Sequence, residues 1–220
     1  MALEIKTINL GFVNCYLVKT DAGFILVDTG MPSSRKTVEK ELEKAGCLPG
    51  SLNLIIATHG DIDHTGNCAY LREKYKTKIA MHKDDSYMVE NGDMAAKRKV
   101  KSVFMRLMHV FMSRSKKFRE VLNSFEKFKP DMYLDEGQSL KEFGFDAKVL
   151  HIPGHTKGSI GILTSENDFF AGDTINNHGW AIIIMDEKEL AESAKRLKDL
   201  NMRNVYQGHG KPFKMETFKA

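Results

Sequence analysis

Residues 58–66 read Thr58-His59-Gly60-Asp61-Ile62-Asp63-His64-Thr65-Gly66. They follow Leu54-Ile55-Ile56-Ala57, a wholly apolar run of the kind found in a strand buried on both faces. Two imidazoles and two carboxylates therefore fall within six residues at the end of a buried strand. Gly60 and Gly66 allow tight turns, so the four side chains need not share one face and can enter one pocket. A mixed nitrogen and oxygen donor set suits zinc, iron, manganese or cobalt rather than calcium or magnesium. A surface loop with spare histidines is the plainer reading, but chance produces His-x-[His/Asp/Glu]-x-Asp-His in roughly 3 of 1000 chains of this composition.

Three other places repeat the pattern of a strand, a glycine and a ligand-type side chain. Pro153-Gly154-His155-Thr156 follows a predicted strand over 148–152, Ala171-Gly172-Asp173-Thr174 ends one over 168–170, and Gly208-His209-Gly210 follows one at Val205-Tyr206. Each alone reads as a turn or cap; together they imply one site assembled from strand ends.

Outward from these sites the chain alternates strand and helix signals. Residues 3–10, 14–20 and 24–28 read as strands, with Asp21-Ala22-Gly23 as a hairpin turn. Pro32-Ser33-Ser34 opens a helix to about Ala45 that Gly46 stops. A helix through Ala69, Leu71 and Tyr75 precedes a strand over 78–81, and residues 83–128 read as mostly helical. Short strands return over 132–172, Asp186 caps a helix to about Leu200, and a last strand lies at Val205-Tyr206. That order predicts an α/β fold with mixed sheets. With no repeat, low-complexity tract or linker, residues 1–220 are expected to form one domain with a helical basic and apolar insertion at about 83–129.

With Asn14-Cys15-Tyr16-Leu17-Val18 and Leu26-Val27-Asp28-Thr29-Gly30 added to the four strand-end sites, the sequence resembles the metallo-β-lactamase superfamily from one end to the other. The resemblance implies an αββα four-layer sandwich, two mixed sheets with helices outside, and a dinuclear metal site at one edge. It places His59, Asp61 and His155 on one ion and Asp63, His64 and His209 on the other, with Asp173 between them. Asp28 either orients one of these ligands or caps the turn before Thr29-Gly30.

Asp61 departs from the family pattern, which carries His there. With Asp61 three carboxylates and a bridging hydroxide balance two divalent cations, whereas the usual site keeps one positive charge. An extra hard oxygen lowers Lewis acidity and tolerates iron or manganese beside zinc; the other reading is that it leaves the first site weak, so that a single ion binds. The iron-binding flavodiiron branch of the family carries Glu at this place. The expected cofactor is two divalent transition-metal ions, zinc foremost. The expected chemistry is attack by a metal-bridging hydroxide on a carbonyl or phosphorus centre, with Asp63 as the catalytic residue that takes or relays the proton.

Of the remaining histidines, His151 stands either as support for the 153–156 turn or as a strand end, and His178 sits on a loop that could reach the pocket. Lys157 reads as solvated and Cys68 as core. Cys15, Cys47 and Cys68 form no CxxC, and the N-terminus shows no secretory or membrane-spanning pattern, which fits a cytoplasmic, reducing setting.

Net charge is +4, but eleven Lys and Arg against two Glu give residues 97–129 a net of +9 and leave −5 elsewhere. Lys99, Ser102, Arg106, His109, Ser113 and Lys116 recur at helical spacing, opposite a wide Val, Phe, Met and Leu arc. That helix reads as buried, as a cap offering an apolar wall to an acyl group, or as a membrane-surface or homodimer contact. Nucleic acid fits poorly, because the aromatics are not interleaved with the charges.

The leading expectation is a hydrolase of a small ester, thioester, lactone or phosphoester, with a small-molecule substrate that carries an apolar acyl group in the cap reading. A di-iron redox protein acting on oxygen or nitric oxide with a separate electron donor is the alternative, and a non-catalytic binding module the third. A β-lactamase is disfavoured by the lack of an export signal and by Asp at 173 where some zinc β-lactamases have Cys. Glyoxalase II fits the motif but has C-terminal helices for which about ten residues after His209 leave no room.

Overall fold

The computed structural model describes residues 3–93, 99–100, 115–181 and 183–218. In chain order the strands are β1 (Glu4–Asn9), β2 (Asn14–Thr20), β3 (Gly23–Val27), β4 (Leu52–Ile56), β5 (Lys78–Met81), β6 (Lys99–Val100), β7 (Met132–Tyr133) and β8 (Ala147–His151). They continue as β9 (Ile160–Thr164), β10 (Asp168–Gly172), β11 (Ile175–Asn176), β12 (Gly179–Trp180), β13 (Ile183–Ile184), β14 (Asn204–Gln207) and β15 (Phe213–Lys214). The α-helices are α1 (Arg35–Lys44), α2 (Ile62–Thr65), α3 (Cys68–Tyr75), α4 (Ser86–Asn91), α5 (Lys116–Asn123) and α6 (Glu187–Lys198).

One sheet has the order β1-β2-β3-β4-β5-β7 and the other β15-β14-β10-β9-β8. Both are mixed: β3, β4, β5 and β7 run parallel beside an antiparallel β1-β2-β3 meander, and β10 and β14 are parallel between antiparallel neighbours.

Strand alternation builds the layers. Tyr16 and Val18 of β2, Ile25 and Val27 of β3 and Leu54 and Ile56 of β4 face one way, and meet Val149, Ile160, Ile162 and Phe170 of the second sheet. Their alternates Cys15, Leu17, Leu26 and Ile55 pack beneath Val38 and Leu42 of α1 and Cys68 and Leu71 of α3. On the far side Leu150, Leu163 and Phe169 pack beneath Leu197 of α6. Because side chains of a strand point alternately to opposite faces, a strand covered on both sides must be apolar throughout. The result is helices, sheet, sheet, helices, as the family resemblance implies.

The helical reading of 83–128 holds for α4 and α5 but not at Lys99–Val100. Those residues pair antiparallel with β13, in register Ile183↔Val100 and Ile184↔Lys99. Lys99 is therefore not the first member of a helical stripe. Residues 101–114, which carry most of that stripe, lie outside the described residues, and so do the partner readings placed on it. Among the described residues no helix is long and apolar enough to cross a membrane. Two pairings escape the sequence reading: the β11-β12 ribbon and β15 on the edge of β14.

Phe170 is fully buried between the sheets, stacked on Tyr206 at 5.0 Å and edge-on to Tyr16 at 5.5 Å. Phe170→Ala is expected to cost about 3–5 kcal/mol, read as a lowered midpoint in denaturant unfolding with an unchanged slope.

Candidate metal centre

The strands of both sheets end at one rim, and the seven sequence-predicted side chains meet there. His59 lies three residues beyond β4, and Asp61 starts α2, which carries Asp63 and His64. His155 stands on the turn after β8, Asp173 directly after β10, and His209 two residues after β14. His59, His64 and His155 are buried, and so is Asp61. His209, Asp63 and Asp173 keep partial exposure.

Two halves share Asp173. In one, Asp61 Oδ2 lies 3.4 Å from His59 Nε2 and 3.2 Å from His155 Nε2. In the other, Asp63 Oδ2 lies 3.4 Å from His209 Nε2 and 3.9 Å from His64 Nε2. Asp173 reaches His64 Nε2 through Oδ1 at 3.3 Å, and through Oδ2 it meets His209 Nε2 at 3.0 Å and His155 Nε2 at 3.8 Å. Two sets, His59 with His155 and Asp173, and Asp63 with His64 and His209, each hold their donor atoms within 4.8 Å of one another.

Each imidazole turns Nε2 inward because Nδ1 is committed elsewhere. His155 Nδ1–H donates to the carbonyl of Ile183 at 2.6 Å, and His209 Nδ1–H to the carbonyl of Phe12 at 2.7 Å. A carbonyl only accepts, so Nδ1 keeps its proton, and when the ring is neutral the lone pair is on Nε2. His64 Nδ1–H donates to Asp28 Oδ2 at 2.8 Å. His59 Nδ1 lies 3.0 Å from Thr58 Oγ1, whose own hydroxyl donates to the Asp28 carboxylate. Asp28 also accepts the Thr58 N–H at 2.8 Å and holds φ at 60°, a conformation non-glycine residues adopt at a cost. The structure thus decides between its two readings: Asp28 orients His64.

Backbone spacing is set by the site too. A Cβ on Gly208 would stand 2.2 Å from Asp173 Oδ1 and 2.7 Å from His64 Cε1, so only glycine fits there.

His59 Nε2, His64 Nε2 and Asp173 Oδ1 are buried without a hydrogen-bond partner. Leaving such groups unpaired costs free energy; a cation among them supplies the missing partner. The protons respond in the same sense. Burial opposes a charged His64, yet Asp173, Asp28 and Asp63 outweigh it and hold its pKa well above the ordinary value. Burial likewise opposes a charged His209, but its hydrogen bond and charge interaction with Asp173 raise it to about 9. Burial would raise Asp173; His64 and His209 reverse this and hold it well below the usual carboxylate range. The pocket concentrates positive charge by whatever means are present.

Lys157 is exposed and Cys68 buried, as expected. His178 is exposed at the β11-β12 turn, where its N–H donates to Asn176 Oδ1. His151 donates its Nε2–H to the Lys157 carbonyl at 2.8 Å, one residue past the 153–156 turn. It also stacks on His82, ring centroids 4.0 Å apart and 7° from parallel. His82, Asp84 and His151 place donor atoms within 4.8 Å of one another. Parallel rings, however, send their in-plane lone pairs side by side rather than to one point, so the group reads as packing. Sequence reasoning misses Asp85, the acceptor of three hydrogen bonds from the two ligand loops. It also misses Asn14, whose side-chain amide donates to the carbonyls of Gln207 and Gly210 around His209.

A sequence model of the metallo-β-lactamase superfamily matches residues 8–209. The hydroxyacylglutathione hydrolase GloC of Haemophilus influenzae is 26% identical over 183 residues, which are 81% of this chain and 74% of that protein. Among solved structures, the metallo-β-lactamase family protein TTHA1429 of Thermus thermophilus superposes with a TM-score of 0.71 at 21% identity, covering 96% of this chain and 74% of that one. TTHA1623 in a di-iron-bound form gives 0.68 at 25% identity, covering 97% and 96%.

Asp28→Asn keeps the shape but loses the anionic acceptor for His64, so divalent-ion affinity should fall roughly 10–100-fold in chelator competition. In metal-free protein, His209 contributes stability that is complete below its unfolded pKa of about 6.5 and is lost as pH rises through about 9. The metal-free melting temperature should therefore fall over that window. Divalent-ion affinity should rise across it, because the ion no longer displaces a proton.

Proposed function

The chain belongs to the metallo-β-lactamase superfamily, a superfamily of metal-dependent hydrolases, and from that premise we propose that it hydrolyses a small ester, thioester, lactone or phosphoester with two divalent ions bound at the strand-end site. One observation carries the reading. The imidazoles of His59, His64, His155 and His209 present Nε2 to three carboxylates in a buried pocket, and His59 Nε2, His64 Nε2 and Asp173 Oδ1 there lack hydrogen-bond partners. His59, Asp61 and His155 would hold one ion and Asp63, His64 and His209 the other, with Asp173 shared. When bound, such ions supply Lewis acidity toward a carbonyl or phosphoryl oxygen and make water nucleophilic near neutral pH.

The chain's own residues do the rest. The histidines stay neutral ligands because Ile183, Phe12 and Asp28 retain the Nδ1 protons of His155, His209 and His64. Asp63, whose side chain keeps 16% exposure beside His209, would accept or relay the proton given up by water. Asp61 adds a carboxylate where the family pattern has His, which widens the choice of ion from zinc toward iron and manganese.

Among substrates the thioester is favoured by the likeness to GloC, a hydrolase of hydroxyacylglutathione. That likeness also reopens the glyoxalase II reading. A di-iron redox function is the second reading. It is supported by Asp61 and by the likeness to TTHA1623, a structure with two irons, and it requires an electron donor.

Purified protein, analysed for bound metals and offered an ester, thioester, lactone and phosphoester panel, should turn over at least one class. It should lose that activity to chelator and regain it with zinc, manganese or ferrous iron. Asp63→Asn should lower kcat about 10²–10⁴-fold even at ion concentrations high enough to refill the half formed by Asp63, His64 and His209. Inactivity of fully loaded protein across the panel would overturn the proposal. Iron as the native metal, with electron transfer to oxygen or nitric oxide, would favour the second reading.

A further inference from the structure

Asp85 is 1% exposed and lies outside the candidate ligand set. It immediately precedes α4, the place where an aspartate ordinarily caps its own helix, yet its side chain makes no capping bond. Its carboxylate is used elsewhere. Oδ2 accepts the Gly60 N–H at 2.8 Å and the Thr156 hydroxyl at 2.7 Å, and Oδ1 accepts the Gly158 N–H at 2.8 Å. Gly60 lies between His59 and Asp61, and Thr156 directly follows His155. A single buried carboxylate, satisfied by three neutral donors, thus ties together the two loops that carry His59, Asp61 and His155.

The backbone is shaped to this anchor. A Cβ on Gly158 would stand 2.7 Å from both Asp85 Cγ and Asp85 N, so glycine is needed for the approach. Thr156 is held in turn by Ser159, its N–H donating to Ser159 Oγ at 3.0 Å with the two hydroxyls 2.7 Å apart. The other half of the site has a direct brace in Asp28, which bonds His64 and also reaches His59 through Thr58, whereas none of the three bonds of Asp85 reaches Asp63, His64 or His209.

The geometry points to Asp85 as the positioning residue of one half of the metal centre: it fixes the separation of the His59–Asp61 loop and the His155 turn, and so sets ion affinity at that half and not at the half formed by Asp63, His64 and His209. This rests on the proposed dinuclear site. A half-site whose two loops are free to drift apart must be ordered by the ion itself, and that cost appears as lost affinity.

Asp85→Asn is nearly isosteric, but its amide turns one acceptor into a donor facing an N–H or hydroxyl donor. Apoprotein is titrated with Co²⁺, followed by its d–d absorption and by calorimetry. The wild type is compared with Asp85→Asn, and with Thr156→Val and Thr156→Ser, in the full-length chain. In the His209→Ala background, where the His59 half remains, Asp85→Asn should weaken Co²⁺ binding on the order of ten-fold or more. In the His59→Ala background it should leave affinity within about two-fold. Thr156→Val should weaken the same half and Thr156→Ser should not, which keeps the test open if Asp85→Asn fails to fold. Equal losses in both backgrounds, matched by a fall in the apoprotein melting temperature, would overturn the inference in favour of a general structural role, and so would unchanged affinity in both. A wild type that binds no Co²⁺ would instead remove the dinuclear reading on which it rests.

Discussion

Three carboxylates packed within hydrogen-bond distance of four imidazoles in a mostly buried pocket set the terms for everything around them. Like charges this close repel, and burial removes the water that would screen them. The arrangement is tolerable only with positive charge inside it. In the bare protein that charge arrives as protons, raised onto His64 and His209. With cations bound it arrives as metal, and the histidines return to neutral donors. The pocket is thus built for a state in which something positive is always present, which is why its unpartnered atoms, His59 Nε2, His64 Nε2 and Asp173 Oδ1, face its centre.

Such a pocket needs a frame that does not yield to the repulsion. Its side chains come from the ends of strands in both sheets, and the strands are locked by apolar contacts on two faces. The loops themselves are short and restrained by partners distant in sequence. Phe12 holds His209 across 197 residues, Ile183 holds His155 across 28, and Asp85 joins the 60 and 158 loops. The carbonyl acceptors serve a second purpose, since they admit only one imidazole tautomer. Rigidity and the tautomer of the neutral ring are fixed by the same bonds.

The same split between local and distant bonds explains what can be read in the sequence. The strand, glycine, ligand pattern is local, so His59, Asp61, Asp63, His64, His155, Asp173 and His209 stand out before any fold is known; the order of strands and helices gives an α/β fold with mixed sheets, and the four layers come from the family resemblance. Asp28 is visible but ambiguous, because an aspartate before Thr29-Gly30 caps turns as readily as it orients a histidine; only its approach to His64 decides. The carbonyls of Phe12 and Ile183 carry no signal at all, since a backbone oxygen has no residue identity. Asp85 looks like a solvated or capping acid within Lys83-Asp84-Asp85. Strands of two residues, such as Lys99–Val100 against Ile183–Ile184, are too short to show a period, so a helical reading runs through them.

Asp61 has a consequence that reaches past charge. In the proposed ligand set each half offers two imidazoles and one carboxylate, His59, His155 and Asp61 against His64, His209 and Asp63, with Asp173 touching both. A histidine at 61 would make the halves unlike, three nitrogens against two nitrogens and an oxygen, and unlike donor sets can sort unlike ions. With aspartate there, ligand type gives no basis for sorting, so the pair should be filled by two ions of the same element. The halves then differ in burial and in what braces them, Asp28 through a direct bond to His64 and Asp85 through two loops of the other half. Asymmetry in such a centre would come from the mechanics of the loops rather than from the chemistry of the donors.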